Sequence, residues 1–477
     1  MKGQPLHRAR FAGLEELWPL LTSSLPSDGV LLGTRRFLFS QRFASVRKTK
    51  LRRELSHTLI VGRTGSGKGL WAVSQLNTWH YPVVVNDIKG DLFSQTAGFR
   101  SLLGPVYVLD PTGVGHAYDP IAGKTTQDAL YATSKQLMHQ AEGEDPFTQR
   151  ATKMLTRIFA AARLREIAAL PYARAVLGAG LRVCAEELNA VSPALATGFL
   201  DTNLEHSRLE DDRYLMSAWG TLTTLLEPLT TETVIRSLAR SDITAEEIIT
   251  SEKPVTVYIR WPEQQLEALA PLVRLFWGSL VSDMMSAHDR RAGQGCNPVM
   301  LLVDEGGRTA IPSLAEHITT IRSRDISILL AVQSLSQLET VYGKARAQTL
   351  RDNMETQIYY RPTDYATAHY LQERIGRRSA YAHSTTEQQD GRTSESQSEQ
   401  GIPLLTAQDV QRLKDDEVIC FHRSLPPFKL RRMDWRQHPI LAKRRSAPAP
   451  KVPTLEPLPD LPMLTSAERP HYESPNR

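Results

Sequence analysis

His57-Thr58-Leu59-Ile60-Val61-Gly62-Arg63-Thr64-Gly65-Ser66-Gly67-Lys68-Gly69-Leu70 is the stretch on which the reading of this chain turns. Leu59 to Val61 is a short apolar run that reads as a buried strand, and a helical pattern restarts at Lys68. Between them, glycines at 62, 65 and 67 let the backbone curl until consecutive N–H groups point into one small volume. The next helix adds the positive end of its dipole and Lys68 a full charge, which together make a socket for the β- and γ-phosphates of a nucleotide. Gly62, Arg63, Thr64, Gly65, Ser66, Gly67, Lys68 and Gly69 are therefore the candidate nucleotide-binding residues. The general pattern has Ser or Thr after the lysine to hold Mg²⁺. Here that residue is Gly69, so the metal must lean on water and on an acidic side chain elsewhere. A glycine-rich turn with no ligand is the competing reading of this stretch taken alone.

The rest of the chain supplies further strand ends of the same kind. Tyr81 to Asp87 reads as a second buried strand ending in Asp87-Ile88-Lys89-Gly90-Asp91-Leu92, where either turn chemistry or a nucleotide contact explains the polar residues. A third strand, Pro105 to Leu109, runs into Asp110-Pro111-Thr112-Gly113. Residues 125–240 change character: strand signals vanish, and Ala, Leu, Glu and Arg recur at helical spacing. That predicts an all-helical domain inserted into an α/β domain, with His139 and His206 as surface or packing residues. The alternation resumes with the strand Pro254–Ile259 and a helix over Leu266–His288. Val299 to Val303 then delivers Asp304 and Glu305, the first placed for Mg²⁺ and the second for an attacking water. A helix Leu314–Arg322 and the strand Ile326–Val332 lead to Gln333, whose amide can sense the γ-phosphate. Arg322 and Arg324 lie at the turn between them, either as solvated surface or as an arginine offered to a neighbouring subunit in a ring.

The chain of 477 residues divides into an N-terminal region 1–55, nucleotide-domain parts 56–124 and 241–438, the helical insert 125–240, and a proline-rich tail 439–477 read as disordered. Residues 378–400 are polar and low in complexity, and read as a loop or disordered hinge. A net charge of +5 permits an anionic partner without requiring one. The basic cluster Arg42, Arg47, Lys48, Lys50, Arg52 and Arg53 is a solvated face or a contact with DNA phosphates or anionic lipid. Cys184, Cys296 and Cys420 have no metal-ligand spacing and read as structural thiols in a reducing compartment. No run of 18 uncharged apolar residues occurs, so a soluble, cytoplasmic chain is expected.

The order of these motifs, with Ala331-Val332-Gln333-Ser334-Leu335-Ser336-Gln337-Leu338, Val341-Tyr342-Gly343, Asn353-Met354-Glu355-Thr356-Gln357 and Pro403-Leu404-Leu405-Thr406, resembles the TraG/TraD-type coupling proteins of conjugation and type IV secretion over about residues 56–435. That family commonly carries glycine after the phosphate-loop lysine. The resemblance implies a RecA/FtsK-like P-loop NTPase domain with an inserted all-helical domain, working with ATP and Mg²⁺ as a homo-hexamer. Its role would be to drive single- or double-stranded DNA, with attached relaxase or relaxosome proteins, into a type IV secretion channel at the inner membrane. It assigns Lys68 to the phosphates, Asp304 to the metal, Glu305 to the water, Gln333 to sensing and Arg322 to the inter-subunit arginine; the helical domain would recognise substrate. Most of the family begins with two membrane-spanning helices, which this sequence does not show, so docking on a membrane partner or a soluble carrier role is expected. The family's proline in the phosphate loop is Arg63 here, poised for a phosphate or an adjacent subunit. A DNA-stimulated ATPase motor is the leading function; a nucleotide-gated substrate adaptor that hydrolyses little, or a DNA translocase outside secretion, are the alternatives.

Overall fold

The computed structural model describes residues 7–37, 40–48, 55–138, 145–201, 209, 211–308, 311, 314–387, 393–458 and 461. His139, His206, Lys50, Arg52 and Arg53 lie outside them. The described chain groups into two compact units.

The first unit is built on one sheet whose centre is parallel. Its strands are β1 (Leu21–Thr22), β2 (Gly29–Arg36), β3 (Gln41–Arg47), β4 (Thr58–Val61) and β5 (Val83–Asn86). The second unit holds its own pair, β6 (Val106–Leu109) and β7 (Thr256–Ile259). Then come β8 (Val299–Val303), β9 (Ile326–Val332), β10 (Thr356–Tyr359), β11 (Arg377–Glu387), β12 (Thr393–Pro403), β13 (Glu417–His422) and β14 (Phe428–Arg431). In the first unit the order across the sheet is β1-β3-β2-β14-β13-β10-β4-β9-β8-β5. β10, β4, β9, β8 and β5 run parallel, and β13, β14, β2, β3 and β1 extend them antiparallel. The parallel strands are buried along their whole length, which is why they read in sequence as unbroken apolar runs rather than as alternation. The N-terminal segment, which carries little periodic signal, supplies β1–β3. The helix Lys68–Leu76 is tied to β2 through Gln75, whose amide accepts from Leu31 N at 2.7 Å and donates to Gly29 O at 3.0 Å.

Two expectations are corrected. Residues 378–400, read as a loop or disordered hinge, lie largely in β11 and β12, which pair antiparallel from Arg377↔Pro403 to Glu387↔Thr393. At eleven residues each they make a ribbon about 36 Å long. Ser and Thr are compatible with strands when the ladder itself satisfies the backbone, and composition alone does not register that pairing. The ribbon is rooted by Ser379 N donating to His7 O at 3.1 Å and Leu404 N to Gly376 O at 2.9 Å. The tail, read as disordered from 439 onward, begins with a helix, Pro439–Arg445, that buries Leu441. Arg444 lies 4.4 Å over the Phe99 ring and donates to Asn77 O at 2.6 Å. A Cβ added at Gly98 would strike the Ala447 carbonyl, so the tail passes in close contact with the helix Asp91–Leu103. Proline at the first helical position costs no hydrogen bond, so a proline-rich composition does not preclude this docking.

In the second unit β6 and β7 pair in parallel, Val106↔Thr256 to Leu109↔Ile259. Between them run the helices Gln127–Met138, Pro146–Leu164, Ala169–Gly178, Leu181–Val191, Pro193–Leu200, Arg213–Leu226, Glu232–Ser237 and Ala245–Thr250, and Ala270–Arg290 follows β7. Pro146–Leu164 is their centre: Asp145 caps its first turn, and Ala151, Met154, Leu155, Ile158, Phe159 and Ala162 form its buried face. Glu187 is fully buried and paired with Arg165 at 2.6 Å. The tail reaches this unit too, with Gly115 N donating to Pro453 O at 2.7 Å and Leu455 N to Gly113 O at 2.9 Å.

His57, just before β4, is held from both ring nitrogens: Nε2 meets Ile318 O at 2.9 Å and Nδ1 accepts from Ile328 N at 3.0 Å. Burial pulls its pKa down to about 4, so the folded ring stays neutral where an unfolded one, at 6.5, is already charged. Because the unfolded state binds the extra proton, the contribution is present above pH 6.5 and is lost as pH falls toward 4, up to about 3 kcal/mol. Unfolding followed at pH 7 and pH 4.5 is expected to show a smaller loss for His57→Gln than for the unaltered chain; equal losses would contradict it.

Candidate nucleotide site

Three neighbouring parallel strands, β4, β9 and β8, bring their carboxyl ends to one edge of the sheet. The phosphate-loop segment leaves β4, Gln333 follows β9, and Asp304-Glu305 follows β8. Val61 pairs with Val332 and Val303 with Leu330, so the three strand ends lie side by side, that of β8 two residues short of the other two. Ligands in open α/β sheets bind at such an edge.

The loop is pinned at its start by Gly62 N donating to Val332 O at 3.1 Å, and closed by Ser66 N donating to Arg63 O at 3.1 Å. Gly65 and Gly67 take φ of 78° and 108°, left-handed conformations that only glycine adopts without strain. The nine-residue helix Lys68–Leu76 starts directly below, with no side-chain cap on its first turn. Lys68 is buried and its Nζ donates to the Gly62 and Arg63 carbonyls, which holds the ammonium within the loop. Arg63, Thr64, Gly65 and Gly69 are exposed, and Gly62 is buried. A Cβ at Gly69 would meet nothing within 4 Å, so packing does not demand glycine after the lysine. Loop, helix terminus and lysine fit a polyphosphate.

The acidic pair is set by a sharp turn. Glu305 adopts φ 52°, Gly306 N donates to Ala331 O at 2.9 Å, and Arg308 N donates to Glu305 O at 2.8 Å. Asp304 Oδ1 accepts from Glu305 N at 3.0 Å, and Asn86 Nδ2 donates to Asp304 O at 2.9 Å. Arg308 pairs with Glu305 at 3.5 Å. Gln333 N donates to Gln337 Oε1 at 3.0 Å, and the Gln337 side chain covers Gly307, where a Cβ would collide with it. Asp304 and Glu305 are the carboxylates at this strand end, and Glu305, in a backbone conformation costly for a non-glycine residue, is turned out of the strand line.

Arg322 lies elsewhere. It occupies a 3₁₀ turn before β9 and pairs with Glu355, the residue before β10. Thr356 is in register with Thr58, so this pair marks the amino end of the strands. One four-residue strand, about 13 Å, separates it from the phosphate loop of the same chain. Arg423, at φ 51°, also pairs with Glu355, at 2.9 Å. Burial raises the Glu355 carboxyl, but its hydrogen bond to Arg423 and the charges of Arg322 and Arg423 outweigh this and leave it lowered. Arg324 donates to Thr320 O at 3.0 Å.

Asp87 opens a turn closed by Gly90 N donating to Asp87 O at 3.3 Å, while Asp110 accepts from Thr112 N and Oγ1 at 2.9 and 2.7 Å and faces Arg260 at 3.6 Å. Both motifs are thus at least turn chemistry. Of the basic cluster, Arg42 stacks on Trp18 at 4.4 Å and Lys48 pairs with Asp325 at 2.8 Å.

Sequence reasoning missed two residues on the loop. Tyr360 packs against Gly62, where an added Cβ would come within 2.8 Å of the Tyr360 Cβ and 3.1 Å of its ring. Arg432, just after β14, donates from Nη1 to Ser66 O at 3.0 Å and lies against Gly67. No local signal marks either, because both arrive from strands hundreds of residues away.

Fold and site together define a P-loop NTPase of the RecA/FtsK-like kind, carrying a helical domain. Residues 30–455 match the family model described as Type IV secretory system Conjugative DNA transfer, and the chain belongs to that family. It is similar to Protein VirD4 of Rhizobium radiobacter, 26% identical over 416 residues that cover 80% of this chain and 57% of the relative. The chain thus spans a little under three-fifths of the length of that curated relative. Among solved structures it is similar to the plasmid coupling protein TrwB in complex with a non-hydrolysable ATP analogue, at TM-score 0.63 and 15% identity, covering 96% of this chain and 98% of that one. TrwB in complex with ADP and Mg²⁺ aligns at TM-score 0.58 and 16% identity, covering 84% and 87%. Among the described residues no helix is long and apolar enough to cross a membrane.

Proposed function

We propose that this chain is the ATP-hydrolysing coupling protein of a conjugation or type IV secretion system, passing a DNA–relaxase substrate to the secretion channel at the inner membrane. The observation that carries it is the convergence of phosphate loop, Asp304-Glu305 and Gln333 on one edge of three adjacent strands, with Arg322 at the other edge. Lys68 and the inward N–H groups hold the β- and γ-phosphates, Gly62 to Gly69 forming the cradle. Asp304 would hold Mg²⁺, which would supply charge neutralisation to the phosphates; Glu305 orients and deprotonates the attacking water, and Gln333 reports the γ-phosphate. The binding of an ATP analogue and of ADP with Mg²⁺ by TrwB supports the choice of nucleotide and cation. Arg322, a strand length from its own loop, suits the neighbouring subunit's nucleotide in a homo-hexamer. The helical domain is the surface for relaxosome proteins, and single- or double-stranded DNA is the translocated cargo.

The test is steady-state ATP hydrolysis by the purified chain with and without single-stranded DNA, beside Lys68→Ala. DNA stimulation of the unaltered chain, and loss of nearly all turnover in Lys68→Ala, are expected. Gly69 favours one second reading, a nucleotide-gated adaptor, because the usual hydroxyl ligand of the metal is missing. Nucleotide binding with negligible turnover under every DNA condition would select it.

A further inference from the structure

Among the described residues, Lys68 and Arg432 both donate to the phosphate loop's carbonyls, and the motif accounts only for the first. Lys68 holds the loop's opening half through the Gly62 and Arg63 carbonyls. Arg432 holds its closing half, with Nη1 3.0 Å from Ser66 O and the guanidinium 3.0 to 3.5 Å from where a Cβ of Gly67 would lie. It comes from the chain's last sheet strands: Arg432 N donates to Asp416 O at 2.7 Å, which fixes its backbone beside the β13–β14 pair. Its Nε is buried with no hydrogen-bond partner, so the guanidinium has donor capacity that the described residues do not use. The nearby Asp434 carboxylate is engaged bidentately by Arg436, at 2.9 and 2.6 Å. A half-buried guanidinium kept beside Gly67, one residue from the helix terminus that faces phosphate, is a costly arrangement for a mere strut, because a neutral donor would satisfy Ser66 equally well.

We propose that Arg432 is a nucleotide-binding residue acting in the same subunit as the loop it touches, a second fixed positive charge for the polyphosphate of a nucleoside di- or triphosphate. This rests on the nucleotide-binding reading above. Because the charge sits at Ser66-Gly67 rather than beside Lys68, it serves diphosphate and triphosphate alike, whereas Lys68 favours the triphosphate.

The experiment is titration of the full chain with fluorescent ADP and a non-hydrolysable ATP analogue, with the thermal midpoint of the nucleotide-free protein measured on the same samples. Arg432→Gln keeps a donor for Ser66 and removes the charge; Arg432→Lys keeps the charge and loses the fork. Arg432→Gln is expected to keep its midpoint and to bind both nucleotides about tenfold more weakly, with their affinity ratio unchanged. Arg432→Lys should recover part of that loss, and Lys68→Ala should lower the triphosphate-to-diphosphate ratio instead. Unaltered affinity in Arg432→Gln overturns the proposal while leaving the nucleotide reading intact. So does a fall in midpoint with affinity unchanged, which would make Arg432 a strut. Failure of the unaltered chain to bind either nucleotide overturns the reading beneath it.

Discussion

Glu305→Gln is expected to leave nucleotide affinity within a few-fold of the unaltered chain and to slow hydrolysis by a factor on the order of 10² to 10⁴, the usual worth of a positioned general base. The amide keeps the size of the carboxylate, so the turn at φ 52° and the Gly306–Ala331 bond that enforces it remain. What is lost is the acceptor for a proton from water. Arg308, 3.5 Å from Glu305, loses its charge partner, but that contact is at the edge of ion-pair range and partly exposed, so it contributes little. Burst and steady-state phosphate release would separate the steps: a variant that binds the nucleotide and fails to cleave it is the expected outcome. If Glu305→Gln turned over as fast as the unaltered chain, Glu305 would not be the base, and the water would be handled by another group.

Arg322→Ala is expected to lower turnover by about 10³ or more, within the range for an arginine supplied in trans, while affinity for nucleotide in the isolated subunit stays unchanged. The geometry makes the prediction sharp, because Arg322 is bound to Glu355 at the amino end of the strands and cannot serve the loop at the carboxyl end of its own chain. Mixing provides the decisive control. Arg322→Ala and Glu305→Gln subunits should each be inactive alone, yet a mixed assembly has interfaces where an intact Glu305 meets an intact Arg322. Partial recovery on mixing is expected; full activity of Arg322→Ala, or no recovery on mixing, would place the arginine outside the reaction. Glu355 holds this guanidinium together with Arg423, so Glu355→Gln should lie between the unaltered chain and Arg322→Ala.

Most of the first unit's parallel sheet was legible because its strands are short, wholly apolar and end in residues whose types are unusual there: Gly62, Asp304 and Gln333. Burial on both faces writes itself into composition. The helical insert was legible for the complementary reason, a change of period. What escaped the reading depends on pairing rather than on periodicity. The β11–β12 ribbon is largely polar, and its order comes from the ladder, a long-range property with little local apolar signature. The docked helix Pro439–Arg445 rests on one buried leucine and an arginine stacked on Phe99. The position of Arg322 followed from resemblance, but its distance from its own loop needed the register of β10 with β4. Tyr360 and Arg432 reach the loop only because the sheet folds far segments beside it, and no motif could have named them.

The pairing of β6 with β7 has a consequence for how such a chain can change over time. The whole run of helices from Gln127 to Thr250 leaves at the end of β6 and returns at the start of its parallel neighbour, so topologically it is an overgrown crossover connection. The entropy of closing a connection rises only slowly with its length, about 0.6 kcal/mol per doubling for a flexible one, so the sheet is nearly indifferent to how much is stored there. Lineages can therefore lengthen, trim or exchange that cassette while the strands on either side keep their register.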